Sequence, residues 1–115
     1  MTPDEFKRRT KAFALRVIHL VDSLPRSRTV QIIGGQLLRA GTSVGANYRA
    51  ACRARSSADF IAKRGIVEEE SDESAYWMEL LIEAGVMKGS RISSLLGEAN
   101  EILSMVVASI RTSRK

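Results

Sequence analysis

This 115-residue chain predicts an all-α fold, an antiparallel up-down-up-down four-helix bundle, and three observations carry that reading. Apolar residues recur at steps of three and four in four separate stretches. The breaks between the stretches are short and hold residues that stop or start helices: Pro25, the Ser56-Ser57 pair and Gly85. Aromatics make up only 5% of the chain and β-branched runs are few, which leaves little from which to build a sheet. Short connections place consecutive helices side by side and antiparallel. The expected organisation is one domain over residues 1–115, with helices at about 3–24, 29–54, 57–84 and 91–111.

The first helix starts at Thr2-Pro3-Asp4-Glu5. Thr2 can cap free N–H groups, proline suits the first helical position, and the two acids complement the positive end of the helix dipole. Phe6, Phe13, Val17, Leu20 and Leu24 form its apolar face, with Lys7, Arg8, Arg9, Lys11 and Arg16 elsewhere on its surface. Pro25 ends it.

In the second helix, capped by Ser27 or Thr29, the face is Val30, Ile33, Leu37, Ala40, Val44, Tyr48 and Ala51. Gly34, Gly41 and Gly45 occupy a neighbouring stripe. Each glycine costs up to about 1 kcal/mol relative to alanine inside a helix. Either close approach of another backbone or a kink explains them.

Ser56 and Asp59 have the spacing of a capping box for the third helix, and Gly85 is its C-terminal stop. Phe60, Val67, Ser71, Ser74, Met78 and Ile82 lie within about 40° on its helical wheel. Ile66, Trp77, Leu80 and Ala84 define a second direction, and Glu68, Asp72, Glu79 and Glu83 a polar stripe. This apolar arc is wider than one helix of a small bundle needs. It marks those four residues as an oligomer interface.

The fourth helix, capped by Ser90 or Ser93, uses Ile92, Leu95 or Leu96, Ala99, Ile102, Met105 or Val106, and Ser109 or Ile110 as its face. Arg111-Thr112-Ser113-Arg114-Lys115 reads as a fraying basic tail.

Composition excludes several classes of function. No stretch reaches the roughly 20 apolar residues of a membrane span, and the N-terminus lacks the apolar run of a signal peptide. The single Cys52 makes no internal disulfide, which fits a cytoplasmic location. His19 is the only histidine, and nothing pairs it with a nucleophile. Cys52, although near Arg49, Arg53 and Arg55, reads as a small packed thiol. The acids at 68–70, 72 and 73 point around the whole helix and lack the Glu-x-x-His pairs of di-iron bundles. No catalytic residue, metal site or cofactor is expected, and the chain reads as a non-enzyme.

Charge is the one feature that suggests a ligand. Residues 1–57 carry 11 Lys/Arg against Asp4, Glu5 and Asp22, hence +8; residues 58–115 carry seven against 10 acids, hence −3. One reading is complementary charge between packed helices or neighbouring subunits. The other is a basic surface for phosphate. Lys7, Arg8, Lys11, Arg49, Arg53 and Arg55 are the candidate nucleic-acid contacts, with Arg9 and Arg39 in the same positive set. Only Tyr48 is interleaved with them, so base stacking is poorly supplied and contact to the backbone is the expected mode.

Arg39-Ala40-Gly41-Thr42-Ser43-Val44-Gly45-Ala46-Asn47, then Ser56-x-x-Asp59-Phe60, then Glu73 and Tyr76-Trp77-x-Glu79-Leu80-Leu81, resemble a bacterial four-helix-bundle family. The family was first noticed as reading frames within intervening sequences of 23S ribosomal RNA genes. The resemblance covers roughly residues 5–110 and is densest from 39 to 84. It implies a compact up-down bundle, assembly as a homopentamer, and no assigned biochemical role for most members. It also implies kinship with the accessory proteins of diversity-generating retroelements, where a basic surface meets nucleic acid and a reverse transcriptase. By the same resemblance Arg39, Ser43, Asn47 and Glu73 match recurrent polar positions, which read as an inter-helix polar network. The chain departs from the common form at Arg49-Ala50-Ala51, where many relatives have Ala-Glu-Gly, so a carboxylate is lost and the helix end is more basic. The resulting expectation is a non-enzymatic homo-oligomer that contacts RNA, DNA or a nucleic-acid enzyme. The competing one is a structural or protein-partner module without nucleic-acid affinity. Neither involves a membrane or a small-molecule substrate.

Overall fold

Residues 1–114 are described in the computed structural model, with side chains through Ser109. Four α-helices account for nearly all of them: α1 Pro3–Asp22, α2 Arg28–Cys52, α3 Ser57–Glu83 and α4 Gly89–Arg114, with no strand among the described residues. Consecutive helices pack on one another and α1 closes the bundle against α4, while the backbones of diagonal helices stay apart. Cross-contacts show the directions. Thr10 meets Gly45, Val17 meets Gly41 and Leu24 meets Gly34, so α1 and α2 are antiparallel. Arg9 reaches Glu98, Glu101 and Met105 while Arg16 reaches Ser94, so α1 and α4 are antiparallel too. The resulting rod measures 44 × 21 × 20 Å.

The helix ends follow from local chemistry. Thr2 and Glu5 form a reciprocal capping box, with Thr2 Oγ1 accepting from the Glu5 N–H at 3.1 Å. Ser27, rather than Thr29, caps α2 by accepting from the Val30 N–H at 3.2 Å. Ser56 caps α3 through the Asp59 N–H at 3.1 Å, but the Asp59 carboxylate takes Lys63 Nζ at 2.6 Å, so the capping side chain is engaged one turn onward. Gly85, at φ 72°, ends α3 in a Schellman motif: the Val86 N–H donates to the Leu81 carbonyl and the Gly85 N–H to that of Ile82. α4 departs from expectation at both ends. It starts at Gly89, so Ser90 and Ser93 lie inside it rather than capping it, and its backbone stays helical to Arg114 where a frayed tail is expected. The side chains of Ile110 and of the basic tail lie outside the described residues.

Each helix buries the face its periodicity marks. Phe6, Phe13 and Val17 share one core cluster with Leu37, Val44 and Tyr48 of α2, Val67, Met78 and Leu81 of α3, and Ile92, Leu95, Ala99, Ile102 and Val106 of α4. Full burial of one such large side chain is worth roughly 1.5–3 kcal/mol. Polar residues inside are satisfied within their own helices. The Thr10 hydroxyl donates to the Phe6 carbonyl, Ser71 to that of Val67 and Ser74 to that of Glu70.

The glycine stripe of α2 is a close approach. A Cβ on Gly41 would sit 2.8 Å from Val17 Cγ2, and one on Gly45 would sit 3.2 Å from Thr10 Oγ1 and 3.4 Å from the Thr10 backbone. Gly35, by contrast, has nothing within 4 Å of its notional Cβ. Gly41→Ala is therefore expected to destabilise by about 1–3 kcal/mol through overpacking. Gly35→Ala should stabilise by up to about 1 kcal/mol through helix propensity. Urea unfolding of the two variants beside the parent checks both signs.

Candidate nucleic-acid interface

The close approach of α1 and α2 leaves a floor of small residues flanked by long ones. Ala14, Thr42, Gly45 and Ala46 line the bottom of a groove of about 440 Å³, and Lys7, Arg8 and Lys11 of α1 face Arg49 of α2 and Arg53, its C-cap, across it. A second hollow of about 630 Å³ shares Ala46, Arg49 and Arg53 with the first and adds Ala50, Arg55, Asp59 and Lys63. All six candidate contacts thus line one continuous trough, which runs from the first turns of α1 past the end of α2 to the start of α3.

Local geometry puts them there. Lys7 and Lys11 are one turn apart on α1, and Arg49 and Arg53 one turn apart at the end of α2, so each pair shares a face. Arg49 also sits in the last turn of α2, where a cation complements the helix dipole. Arg8, Lys11, Arg49, Arg53 and Arg55 are exposed, and among the described residues none of the five is in an ion pair. Lys7 has only a long contact to Asp4, at 3.9 Å. Asp59, the one acid lining the trough, is neutralised by Lys63, whose ammonium holds its carboxyl below the usual carboxylate range. Sequence reading overlooked Lys63, because four residues after Asp59 it looks like half of an ordinary helix-surface pair.

Two expected cations are spent elsewhere. Arg9 turns away from the trough and forms a bidentate pair with Glu98 at 2.7 and 2.8 Å, with Glu101 at 3.2 Å. Arg39 pairs across α2 and α3 with Glu70 at 3.2 Å and with Glu73. Arg39, against the opposing effect of burial, and Trp77, whose indole N–H donates to Glu73, hold the Glu73 carboxyl below its ordinary range. Only part of the expected polar network is present. Asn47 Nδ2 donates to the Ser43 carbonyl of its own helix at 2.9 Å, so Asn47 and Ser43 do not join the Arg39–Glu73 link. A side chain as short as that of Asn is more readily satisfied one turn back than across a helix interface.

The four residues marked as an interface divide. Ile66 is 39% exposed, Ala84 is exposed and Leu80 half-buried, whereas Trp77 packs against the core. His19 is exposed and Cys52 half-buried. No cluster of three or more His, Cys, Asp or Glu that could hold a metal ion is present among the described residues, and no described helix is long and apolar enough to cross a membrane.

Fold and trough can now be set beside known proteins. The family described as 23S rRNA-intervening sequence protein matches over residues 5–108. The chain belongs to that family. A crystal structure of a protein of unknown function from the S23 ribosomal protein family of Bacteroides thetaiotaomicron is similar throughout. It has 34% identity and a TM-score of 0.88, over 96% of this chain and 99% of that one. No match is found among curated proteins. Neither the family nor the similar structure is described by an enzymatic activity.

The Arg9–Glu98 link gives a pH signature. Hydrogen bonding and charge from Arg9, against the opposing effect of burial, hold the Glu98 carboxyl below its ordinary value. A carboxyl lowered on folding contributes stability above its unfolded pKa, and that contribution is lost as pH falls through the lower folded value. Glu98→Gln should therefore lower the melting temperature near pH 7, and the gap from the parent should narrow steadily below about pH 4. Thermal melts of both proteins from pH 7 to pH 3 measure that gap.

Proposed function

We propose that this protein is a non-enzymatic, oligomeric, cytoplasmic four-helix bundle that binds nucleic acid through the phosphate backbone along the α1/α2 trough. The carrying observation is the gathering of Lys7, Arg8, Lys11, Arg49, Arg53 and Arg55 on one surface with so little internal neutralisation. Clustered, exposed cations that neutralise phosphates displace the counterions condensed on the nucleic acid. No aromatic ring lines the trough, so the mode is backbone contact without base readout. The test is titration of labelled RNA and duplex DNA at several salt concentrations. Affinity should fall steeply with salt, and replacing Arg49, Arg53 and Arg55 with alanine should reduce the log–log slope by about 3 per subunit. Salt-independent binding, or a triple variant that binds like the parent, would refute the assignment. Failure to bind either nucleic acid would favour a protein-interaction module.

Assembly is the second half of the proposal, a homopentamer by family resemblance. Its support on this chain is apolar surface left uncovered by the bundle: Ile66 at 39%, Ile32 at 59% and Tyr76 at 52% exposure. Of the four interface candidates Ile66 is the cleaner probe, because Trp77 also holds the subunit's own core. Ile66→Glu should reduce the mass seen by size exclusion with light scattering while far-ultraviolet dichroism stays unchanged. A parent protein that runs as a single chain would remove the assembly claim.

A further inference from the structure

Away from the trough, Arg64 stands apart from the paired arginines. Arg9 and Arg39 each have two carboxylates; Arg64 has none among the described residues. Its guanidinium lies instead against aromatic rings, 4.8 Å from the centroid of Phe60 and 5.4 Å from that of Tyr48. Phe6 packs on Tyr48 with centroids 4.7 Å apart. Two aromatic rings therefore hold the one cation, and a third, Phe6, backs Tyr48. Its Nε is buried with no hydrogen-bond partner among the described residues. Ring stacking holds the charge but accepts none of the in-plane N–H bonds, and a buried donor left unmade is a standing cost.

The same side chain lines a cavity of about 310 Å³ whose walls include Met1, Phe6, Met105 and Val106. That is the lower end of the size range of small-molecule pockets, and among the described residues its lining is mostly apolar, with Arg64 as the charged side chain and Ser109 as a polar one. A guanidinium has donors and no acceptor, so the charge calls for an anion, and its planar fork matches a carboxylate in two parallel hydrogen bonds. Phe6, Met105 and Val106 call for hydrocarbon beside that anion, and a strongly hydrated inorganic phosphate would leave its water there without replacement. Met1, 67% exposed, lies at the cavity as its least anchored wall.

We propose that this cavity binds a small apolar monocarboxylate, with Arg64 taking the carboxylate and Phe6, Met105 and Val106 covering the hydrocarbon. The site lies apart from the trough: none of the trough's lining residues belongs to it. It does not depend on the nucleic-acid reading.

The test is a nuclear magnetic resonance titration of the full chain with hexanoate, hexanol and inorganic phosphate as separate probes. Hexanoate should saturate and shift the resonances of Arg64, Phe6 and Val106. Hexanol, equal in length but uncharged, should bind those residues at least tenfold more weakly, and phosphate should leave them unmoved. Arg64→Met should lose at least tenfold in hexanoate affinity, and Arg64→Lys, which keeps charge without the fork, should fall between. Hexanoate without effect at these residues, hexanol binding as well as hexanoate, or phosphate displacing hexanoate from Arg64 would each overturn the proposal. The comparison of probes on the parent protein needs no variant to fold.

Discussion

Between α1 and α2 there is no room for a side chain at Gly41, opposite Val17, and little at Gly45, opposite Thr10. Much of the molecule depends on that approach. It brings Phe13 and Val17 onto Leu37 and Val44, so that the first half of the core is closed before α3 and α4 add theirs. Thr10 can sit at such a contact because its hydroxyl is already bonded within α1, to the carbonyls of Phe6 and Lys7. The same approach makes the surface between the helices a shallow channel with a floor of alanine, glycine and threonine. Long basic side chains on either rim consequently face each other over small residues and not over an apolar ridge.

Charge is arranged by the same economy. Where the bundle needs a polar link between helices, arginine supplies it: Arg9 ties α1 to α4 through Glu98 and Glu101, and Arg39 ties α2 to α3 through Glu70 and Glu73. Arginine suits the task because its fork spans two carboxylates at once. The Arg39 pairs, half exposed, add little each to stability, whereas the Arg9–Glu98 pair is partly buried. Arg8, Lys11, Arg49 and Arg53 have no such duty and stand exposed on the rims of the α1/α2 groove, where several like charges repel one another. The basic half of the sequence thus separates physically into structural cations and free ones.

Most of the architecture was legible in the residues because the signals were redundant. For α1, capping, periodicity and terminating proline agree, and the observed helix ends within two residues of the expected one. The same holds for α3, where Ser56 and Gly85 bracket a face that is buried as the wheel places it. α4 was less legible. Its start carries no capping signal as clear as Ser27 or Ser56, and the helix begins two residues early, at Gly89. The glycine stripe was visible but ambiguous, since close approach and a kink leave the same mark on one helix. Only the position of Val17 on its neighbour separates them.

By itself the sequence determined the number of helices, which face of each is buried, where α1 and α3 are capped, and that an excess of positive charge lies in the first half. These are local properties, dictated by residue spacing along one chain segment. The tertiary structure alone decided how the charges are used. Arg9 and Arg49 look alike in sequence, yet one faces Glu98 across a helix interface and the other faces Lys11 and Arg8 across open solvent. Asn47, matched to a family position that suggested a link between helices, is satisfied by its own. Arg64, half of an unremarkable Lys-Arg pair in the chain, lies against Phe60 of its own helix and Tyr48 of α2, on which Phe6 of α1 packs. A side chain's partner depends on what a distant segment brings within about 4 Å, and helical periodicity carries no record of that distance.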